Sequence, residues 1–477
     1  MKVCFVTSEC VPYIKTGGLA DVSGSLPLSL YENGVIVKVF LPLYDKIDRD
    51  KYDLVKVEEL SNDSVSILDM YHSYDVYYCK HYDKVDTYFI DCPFYFSRAV
   101  VYTSDIDENE RYILFQHAVL KTLQKLVWNP DIIHCNDWQS SLIPSMLKLQ
   151  YSWDMLFRNT KTLLSIHNIG YQGIFPLDSV VKAGFGESLC VLGGPFEFND
   201  FSNFLKAGIF YSDIVSTVSP TYASEIQTPE FGSGLEGVLR SRGKNVYGIL
   251  NGIDTNDWCP VTDKLIPKNY SFLNLEYKYI NKNELLKTSG LKIDNDIPLF
   301  GIVSRLAWQK GFELIIELME KRINEDFNLV VLGTGEQKYE DYFLKLMLDY
   351  PYKIKAFLEY NNKIAHMITA GSDFFFMPSR YEPCGLNQMY SLNYGTLPVV
   401  RNVGGLADTV LDIEEENGNG LSFREFTLEG IESAFDKALK LYKDKNKMKT
   451  VIQRGMSSDF SWNKSAREYM NLYNKIS

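Results

Sequence analysis

Arg305 and Lys310 lie close together in the segment SRLAWQKGFELI, between an apolar run, Leu299 to Ser304, and a helix expected from about Gly311. The positive end of a helix disfavours cations. A bound anion therefore accounts for the pair better than fold stability does; the bland alternative is two solvated surface charges. A second segment, PSRYEPCGLNQMYSLNYGTLPVVRNVGGLADTV from Pro378, has the same strand-then-turn layout. The apolar run Phe374 to Met377 reads as a buried strand. The acid Glu382 follows in a loop, Gly385 opens a short expected helix and Gly395 closes it. Leu397 to Val400 is the next strand, and Gly404 and Gly405 open another helix. Turns of this kind present backbone N–H groups and a positive helix end to an anion. Glu382 could not serve a phosphate, but it suits hydroxyls or a cation. A diphosphate joined to a sugar satisfies both demands.

Three further candidates lie in the first half. Lys15 stands beside Gly17 and Gly18 in SECVPYIKTGGLAD, where glycines allow a close backbone approach and the lysine adds charge. Asp137 follows the strand Asp131 to His134, and His167 follows the strand Thr162 to Ile166. Plain structural roles compete at each position. Asp137 could cap a helix, His167 could be a hydrogen-bonded loop residue, Trp138 could be core, Glu382 could cap its helix or pair with Arg380, and Cys384 could be a packed thiol. Their common position at strand carboxyl ends favours function, because ligands of doubly wound sheets bind there. The six histidines form no HxxxH or HExxH pattern, and the eight cysteines form no CxxC, so no metal site is expected.

The elements that would hold these residues alternate. Lys2 to Thr7, a helix from Val22 to Glu32 and the strand Val35 to Leu41 make a βαβ opening without the GxGxxG dinucleotide fingerprint. Short alternating stretches at 65–68, 76–79 and 85–90 read as hairpin additions. A helix is expected over Glu108 to Leu126, with further strands at Asp213 to Val218 and Val246 to Leu250. The pattern resets at NGIDTNDWCP, Asn251 to Pro260, followed by a charged, weakly patterned piece through Lys282. A second series of strands then runs at 299–304, 329–332, 354–358, 374–377, 397–400 and 420–423. The expected fold is α/β, with two Rossmann-like domains facing a deep cleft. One covers residues 1–250 and the other 258–458. A final helix within 459–477 comes after the second sheet is complete.

Composition excludes other classes. The net charge of −12 argues against a general nucleic-acid or anionic-membrane binder. No apolar run reaches membrane-spanning length. The first residues read as a strand, not a signal peptide, and scattered thiols suit a reducing, cytoplasmic setting. The 14% aromatic content accompanies abundant Lys, Asn and Ile, a bias that AT-rich coding produces, and so says little about sugar stacking.

The motifs together resemble those of the bacterial glycogen synthases and plant starch synthases, retaining glucosyltransferases of the GT-B fold. The resemblance runs from Val3 to the final helix. It rests on KTGGLADV at Lys15, NDW at Asn136, HNIGYQG at His167, TVSPTYASEI at Thr217, LNGIDTNDWCP at Leu250, SRLAWQKG at Ser304, LGTGE at Leu332 and PSRYEPCGLNQ through GGLADTV. KTGGLADV with EPCGLNQ is its most specific part.

The resemblance implies transfer of glucose from ADP-glucose to the 4-hydroxyl of a glycogen or other α-1,4-glucan end, with retention and with no metal or cofactor. It implies that Lys15, Gly17 and Gly18 bind the donor diphosphate, and that Arg305 and Lys310 neutralise the leaving phosphates. Glu382 and the N–H groups of Cys384, Gly385, Leu386 and Asn387 would hold the glucosyl hydroxyls, with Gly404 and Gly405 as a phosphate loop. His167 would stabilise charge at the anomeric carbon, Asp137 and Asn251 would line the site, Tyr360 would lie against the adenine, and Glu9 and Asp21 would stand nearer the acceptor. The domains would close over the donor, and the last helix would cross back to the first domain. Asn387, Ser233 and Asn199-Asp200 depart from the usual Thr, Tyr and aromatic-Gly. The competing readings are a related transferase using UDP-glucose or a small acceptor, and a non-catalytic glucan- or nucleotide-binding protein.

Overall fold

The computed structural model describes residues 1–477. The chain divides into two compact units, Met1–Ile249 with Trp462–Ser477, and Leu250–Ser461.

The first unit is built on a twisted sheet. In spatial order its strands are Val246–Gly248, Ile214–Thr217, Lys161–Ile166, Ile132–Asn136, Lys2–Val6, Ile36–Pro42, Val85–Asp91, Met70–His81 and Val55–Lys56. The first seven are parallel; Met70–His81 joins antiparallel and also pairs with Asp63–Ile67. The expected hairpin additions are therefore an antiparallel edge on a parallel core. The central strands, VCFV and IIHCN, are buried on both faces and read as continuous apolar runs. Chain order reverses between Lys2–Val6 and Ile132–Asn136, which makes the carboxyl ends of these two strands the topological switch point.

The last helix, Trp462–Ile476, packs in this unit against the helix Gly18–Glu32. A buried polar chain holds it: Tyr473 Oη lies 2.8 Å from His134 Nδ1, His134 Nε2 2.6 Å from Ser165 Oγ, and Ser165 Oγ 2.6 Å from Ser216 Oγ. Three neighbouring strands thus contribute to one network, which satisfies groups that would be costly to bury alone. A small second sheet, Glu197–Phe198, Phe201–Asn203 and Ile174–Phe175, was not expected from the sequence. Its two-residue turn is Asn199-Asp200, both at positive φ. That departure from the family pattern suits a tight hairpin, since Asn and Asp tolerate this conformation.

The second unit has six parallel strands: Ile354–Phe357, Asn328–Leu332, Leu299–Val303, Phe374–Met377, Leu397–Arg401 and Leu421–Phe423. Chain order reverses between Leu299–Val303 and Phe374–Met377. Below the sheet an aromatic layer forms, with Phe300 stacked on Phe374 and Phe376 at 5.1 and 4.8 Å. The charged piece that runs through Lys282 is mostly turns and irregular chain and ends in a helix, Lys278–Thr288. Two of its lysines, Lys278 and Lys282, point inward. Lys282 Nζ donates to Asp373 Oδ2 at 2.7 Å, Tyr442 Oη at 2.7 Å and Ile297 O at 2.8 Å, while Lys278 Nζ donates to Ala370 O, Tyr394 O and Thr396 Oγ1. Three acceptors for each ammonium make that burial tolerable. Trp258 is sandwiched between His366 and Tyr390, at 3.7 and 4.1 Å, and fixes the preceding loop.

No helix is long and apolar enough to cross a membrane. No group of three or more His, Cys, Asp or Glu is placed to hold a metal ion.

Candidate active site

Both switch points carry the polar residues singled out above. In the second unit, Lys310 ends a short 3₁₀ turn, Trp308–Lys310, after the strand Leu299–Val303. Gly311 follows at φ 72°, and a Cβ there would lie 2.0 Å from Pro378 O. Only glycine lets this turn reach the loop after Phe374–Met377. Across that approach Lys310 Nζ lies 2.6 Å from Glu382 Oε2, and Ser379 Oγ donates to the same oxygen at 2.9 Å. Glu382 is 5% exposed. The acid therefore pairs with Lys310. Arg380, weighed as its partner, instead reaches Glu313 at 3.8 Å and lies over the rings of Trp308 and Phe426. Arg305 differs from Lys310: it is exposed, forms no ion pair and donates no side-chain hydrogen bond.

The loop after Glu382 is held by its neighbours. Gly385 has φ 73°, and the helix starts at Asn387, not at Gly385. The N–H groups of Gly385 and Leu386 donate to no protein acceptor and stand at the positive end of that helix. Asn387 Nδ2 donates to Val303 O at 2.6 Å, which ties the loop to the strand beside it. Its amide makes a bond that a threonine is too short to copy. Gly404 and Gly405, expected as a phosphate loop, also have a packing role. Cβ atoms there would lie 1.9 Å from Glu382 O and 2.1 Å from Cys384 O, and the Gly405 N–H donates to Glu382 O and Pro383 O. These glycines allow the two loops to touch, and the Gly405 N–H is already engaged. Cys384 is buried, with its thiol pushed up to about 12 by burial and beside the Asn251 N–H. It is a packed thiol. Asn251 is buried as well, and its Oδ1 has no partner. Tyr360 is 90% exposed, beyond the strand Ile354–Phe357.

In the first unit, Glu9 follows Lys2–Val6 and Asp137 follows Ile132–Asn136, side by side at the switch point. Glu9 is 3% exposed. It accepts hydrogen bonds from Thr16 N–H, Thr16 Oγ1 at 2.7 Å, Gly17 N–H at 3.0 Å and Tyr102 Oη at 2.6 Å. Its carboxylate is occupied in shaping the Lys15–Gly18 loop. Lys15 Nζ lies 2.7 Å from Asp21 Oδ1, in a pair that is half exposed on the lysine side. Such a pair is weak, so the lysine is available to a stronger anion.

Gly17 and Gly18 begin the 15-residue helix Gly18–Glu32, and a Cβ added at either meets nothing within 4 Å. Neither is required by packing or by positive φ. The open space above this helix end is suited to a ligand. Gly18→Ala should therefore leave stability unchanged or raise it by up to about 1 kcal/mol, yet lower kcat/KM by about tenfold or more by displacing a closely held substrate. Parallel thermal melts and initial rates check this.

Asp137 sits at φ 55°, a strained position for a residue with a side chain. It does not cap the short 3₁₀ turn that follows. Its Oδ1 accepts the His167 N–H at 2.7 Å, so one strand end orients the next. Burial pushes its carboxyl up to about 7, against the lowering effect of the His167 and Asn168 N–H groups. His167 is pushed down to about 3 by burial and is neutral at pH 7. Its Nε2 lies 2.9 Å from Asn136 Oδ1. Asn136 Nδ2 donates to Val6 O at 3.0 Å, so its oxygen faces the ring. An amide oxygen only accepts; Nε2 therefore carries the proton and Nδ1 keeps its lone pair.

A raised Asp137 pKa has a definite sign. Between about pH 4 and 7 the folded chain holds a proton that the unfolded chain has released, so this contribution to stability falls as pH rises through that window. Asp137→Asn should remove a pH-dependent contribution of about 1–2 kcal/mol, less than full burial would give because the residue is only partly buried. Denaturant midpoints between pH 4.5 and 7.5 measure it.

Comparison with known proteins now identifies the family. Residues 2–241 match the model of the starch synthase catalytic domain, and residues 287–454 match that of group 1 glycosyl transferases. The glycogen synthase of Thermosipho melanesiensis is 45% identical over all of this chain and 99% of its own, and that of Clostridium perfringens is 43% identical over 100% and 98%. The chain belongs to the glycogen and starch synthase family. The catalytic domain of starch synthase IV from Arabidopsis thaliana, solved bound to ADP and acarbose, superposes on it with a TM-score of 0.91 at 32% identity, covering 99% of each chain. The sucrose-phosphate synthase of Thermosynechococcus elongatus, 16% identical with a TM-score of 0.63 over 100% of this chain and 98% of its own, shares the GT-B fold. The protein is a glycosyltransferase with glycogen or starch synthase function.

In this synthase the second unit brings together Lys310, Glu382, Asn387 and the loop N–H groups. The first unit brings together Asp137, His167, Glu9 and the Lys15 loop. Residue-by-residue reading of the sequence missed three partners that hold these groups: Asn136, Ser379 and Tyr102. Asn136 is adjacent to Asp137 and Ser379 lies three residues before Glu382, so both could have been found as orienting neighbours. Nothing near Tyr102 in the sequence connects it to Glu9.

Proposed function

We propose that this synthase transfers glucose from ADP-glucose to the 4-hydroxyl at the non-reducing end of an α-1,4-glucan, with retention. The observation that carries the proposal is the group at the second switch point: a lysine bound to a buried glutamate, an exposed unpaired arginine, and unused N–H donors at a helix end. Cations serve the phosphates and the acid serves sugar hydroxyls, so the set matches a sugar diphosphate better than either part alone. The binding of ADP and acarbose by the related Arabidopsis domain favours an adenine donor.

On this reading Arg305 and Lys310 neutralise the charge that develops on the β-phosphate as the bond from the anomeric carbon to the phosphate oxygen breaks. Glu382 and the Gly385 and Leu386 N–H groups hold glucosyl hydroxyls, and Tyr360 lies against the adenine. Lys15, with the open backbone at Gly17 and Gly18, binds the diphosphate. His167, neutral and with a free Nδ1 lone pair, adds no positive charge near an anomeric centre that becomes cationic. Asp137 orients it, and Asp21 exchanges Lys15 for substrate. Asn251 lines the site.

Retention by double displacement needs a free carboxylate beneath the ring. Glu382, engaged by Lys310 and Ser379, is not free to act in this way. The step therefore proceeds on one face. The anomeric carbon–phosphate bond breaks, the acceptor oxygen bonds to that carbon, and the departing phosphate takes the acceptor's proton.

The test offers ADP-glucose and UDP-glucose separately with glycogen, without added metal, and follows nucleotide release and incorporation of labelled glucose. ADP-glucose should be the faster donor. Preference for UDP-glucose would overturn the donor assignment, and transfer from neither would overturn the reaction.

A further inference from the structure

The motif LGTGE at Leu332 ends the strand Asn328–Leu332 and runs along the segment that carries Arg305 and Lys310. Backbone bonds join the two. Ser304 N–H donates to Leu332 O at 3.0 Å, Leu306 N–H to Thr334 O at 2.9 Å, and Glu336 N–H to Leu306 O at 2.7 Å. Cβ atoms at Gly333 and Gly335 would lie 1.8 Å from Ser304 O and 2.2 Å from Leu306 O. Both glycines are therefore needed for this contact between loops.

The carboxylate of Glu336 extends the contact to the turn of Lys310. Glu336 stands at the N-cap of the helix Gln337–Asp349, yet its side chain makes no bond to that helix. Instead its Oε1 accepts the Trp308 N–H at 2.6 Å, and its Oε2 lies 3.0 Å from Lys338 Nζ. The Trp308 N–H first, and then Lys338, lower its carboxyl from the ordinary glutamate value, so it is ionised at neutral pH. The 3₁₀ turn Trp308–Lys310 has a use for this acceptor. The first N–H groups of a helical turn find no partner within it, and Ala307, which precedes the turn, has no polar side chain to offer. An ionised acceptor makes the stronger bond. On its other side the turn is held by Arg380 N–H, which donates to Gln309 O at 2.9 Å, by Gln309 Nε2, which donates to Tyr381 O at 3.2 Å, and by the pair of Lys310 with Glu382. The turn is thus clamped between two loops, and Glu336 closes the clamp from one of them.

We propose that Glu336 is a positioning residue for Arg305 and Lys310. It acts through the turn and touches no substrate. The diphosphate that these cations would meet rests on the functional reading above; the clamp does not. Two cations that must face linked phosphates together lose affinity when the segment between them is free to shift. The loss is moderate, because Lys310 keeps its bond to Glu382.

The experiment compares the full chain with its Glu336→Ala and Glu336→Gln variants by calorimetric titration of ADP and by amide hydrogen exchange across Arg305–Gly311, with thermal melts alongside. Glu336→Ala should bind ADP about three- to tenfold more weakly, exchange faster across this segment and melt with the parent. Glu336→Gln should restore both affinity and protection, since its amide oxygen still accepts the Trp308 N–H. Unchanged exchange in Glu336→Ala overturns the clamp, and faster exchange with parental ADP affinity overturns the positioning role. A Glu336→Gln variant as weak as Glu336→Ala would make the charge responsible, not the turn, and overturn the proposal as well. A parent chain that binds no ADP, with exchange that rises in Glu336→Ala and is restored in Glu336→Gln, would overturn the functional reading and leave the clamp standing.

Discussion

Arg305→Ala leaves stability within about 0.5 kcal/mol and lowers kcat/KM by about 10²–10³-fold, the range found when one preorganised donor to a developing oxyanion is removed. The separation of the two effects follows from the structure. Arg305 is exposed and has no protein partner, so its removal strands no buried group. Its position after Leu299–Val303 places it at the switch-point end of the sheet, beside the turn that carries Lys310. Thermal melts with steady-state rates on ADP-glucose and glycogen give both numbers. A variant of normal stability and normal rate would make Arg305 a solvated surface charge, as the sequence alone also allowed.

Lys310 requires a paired design, because it has a protein partner. Lys310→Met should lower kcat by about 10²–10³-fold and also lower stability by about 1–3 kcal/mol. That is less than the 3–5 kcal/mol for breaking a fully buried pair, since the lysine is partly open to solvent. The stability loss comes from Glu382, left buried with only Ser379 as a hydrogen-bond donor to its Oε2. The double variant Lys310→Met/Glu382→Gln removes that stranded charge. It should recover most of the lost stability and none of the lost turnover, since both phosphate and sugar contacts are then missing. Recovery of turnover with stability would mean that the pair is a structural brace. A stability loss in Lys310→Met is therefore no argument against a phosphate role; the double variant decides.

Much of this architecture could be read in the sequence, because strands buried on both faces leave unbroken apolar runs such as VCFV, NLVVL and FFFM. Their polar ends then mark the sites. The order in which strands lie side by side left no such trace, and it is that order which makes neighbours of Glu9 and Asp137, or of Lys310 and Glu382. The helix Lys278–Thr288 was hidden for the opposite reason. Lys278 and Lys282 read as solvated charge, but carbonyl, hydroxyl and carboxylate acceptors from distant elements take them inside. The glycines show the same limit. Gly17 and Gly18 look like Gly404 and Gly405 in sequence. The first pair faces open space, whereas the second is clasped against Glu382 and Cys384. Composition cannot distinguish a glycine that admits a ligand from one that admits another loop.

The central claim is that the switch-point end of the second sheet is a diphosphate site, and calorimetric titration of ADP into the full-length chain tests it most directly. At fixed ionic strength Arg305→Ala should bind ADP about 10- to 100-fold more weakly than the parent, the loss of one charge-assisted contact. Equal affinity in the two proteins would contradict the claim.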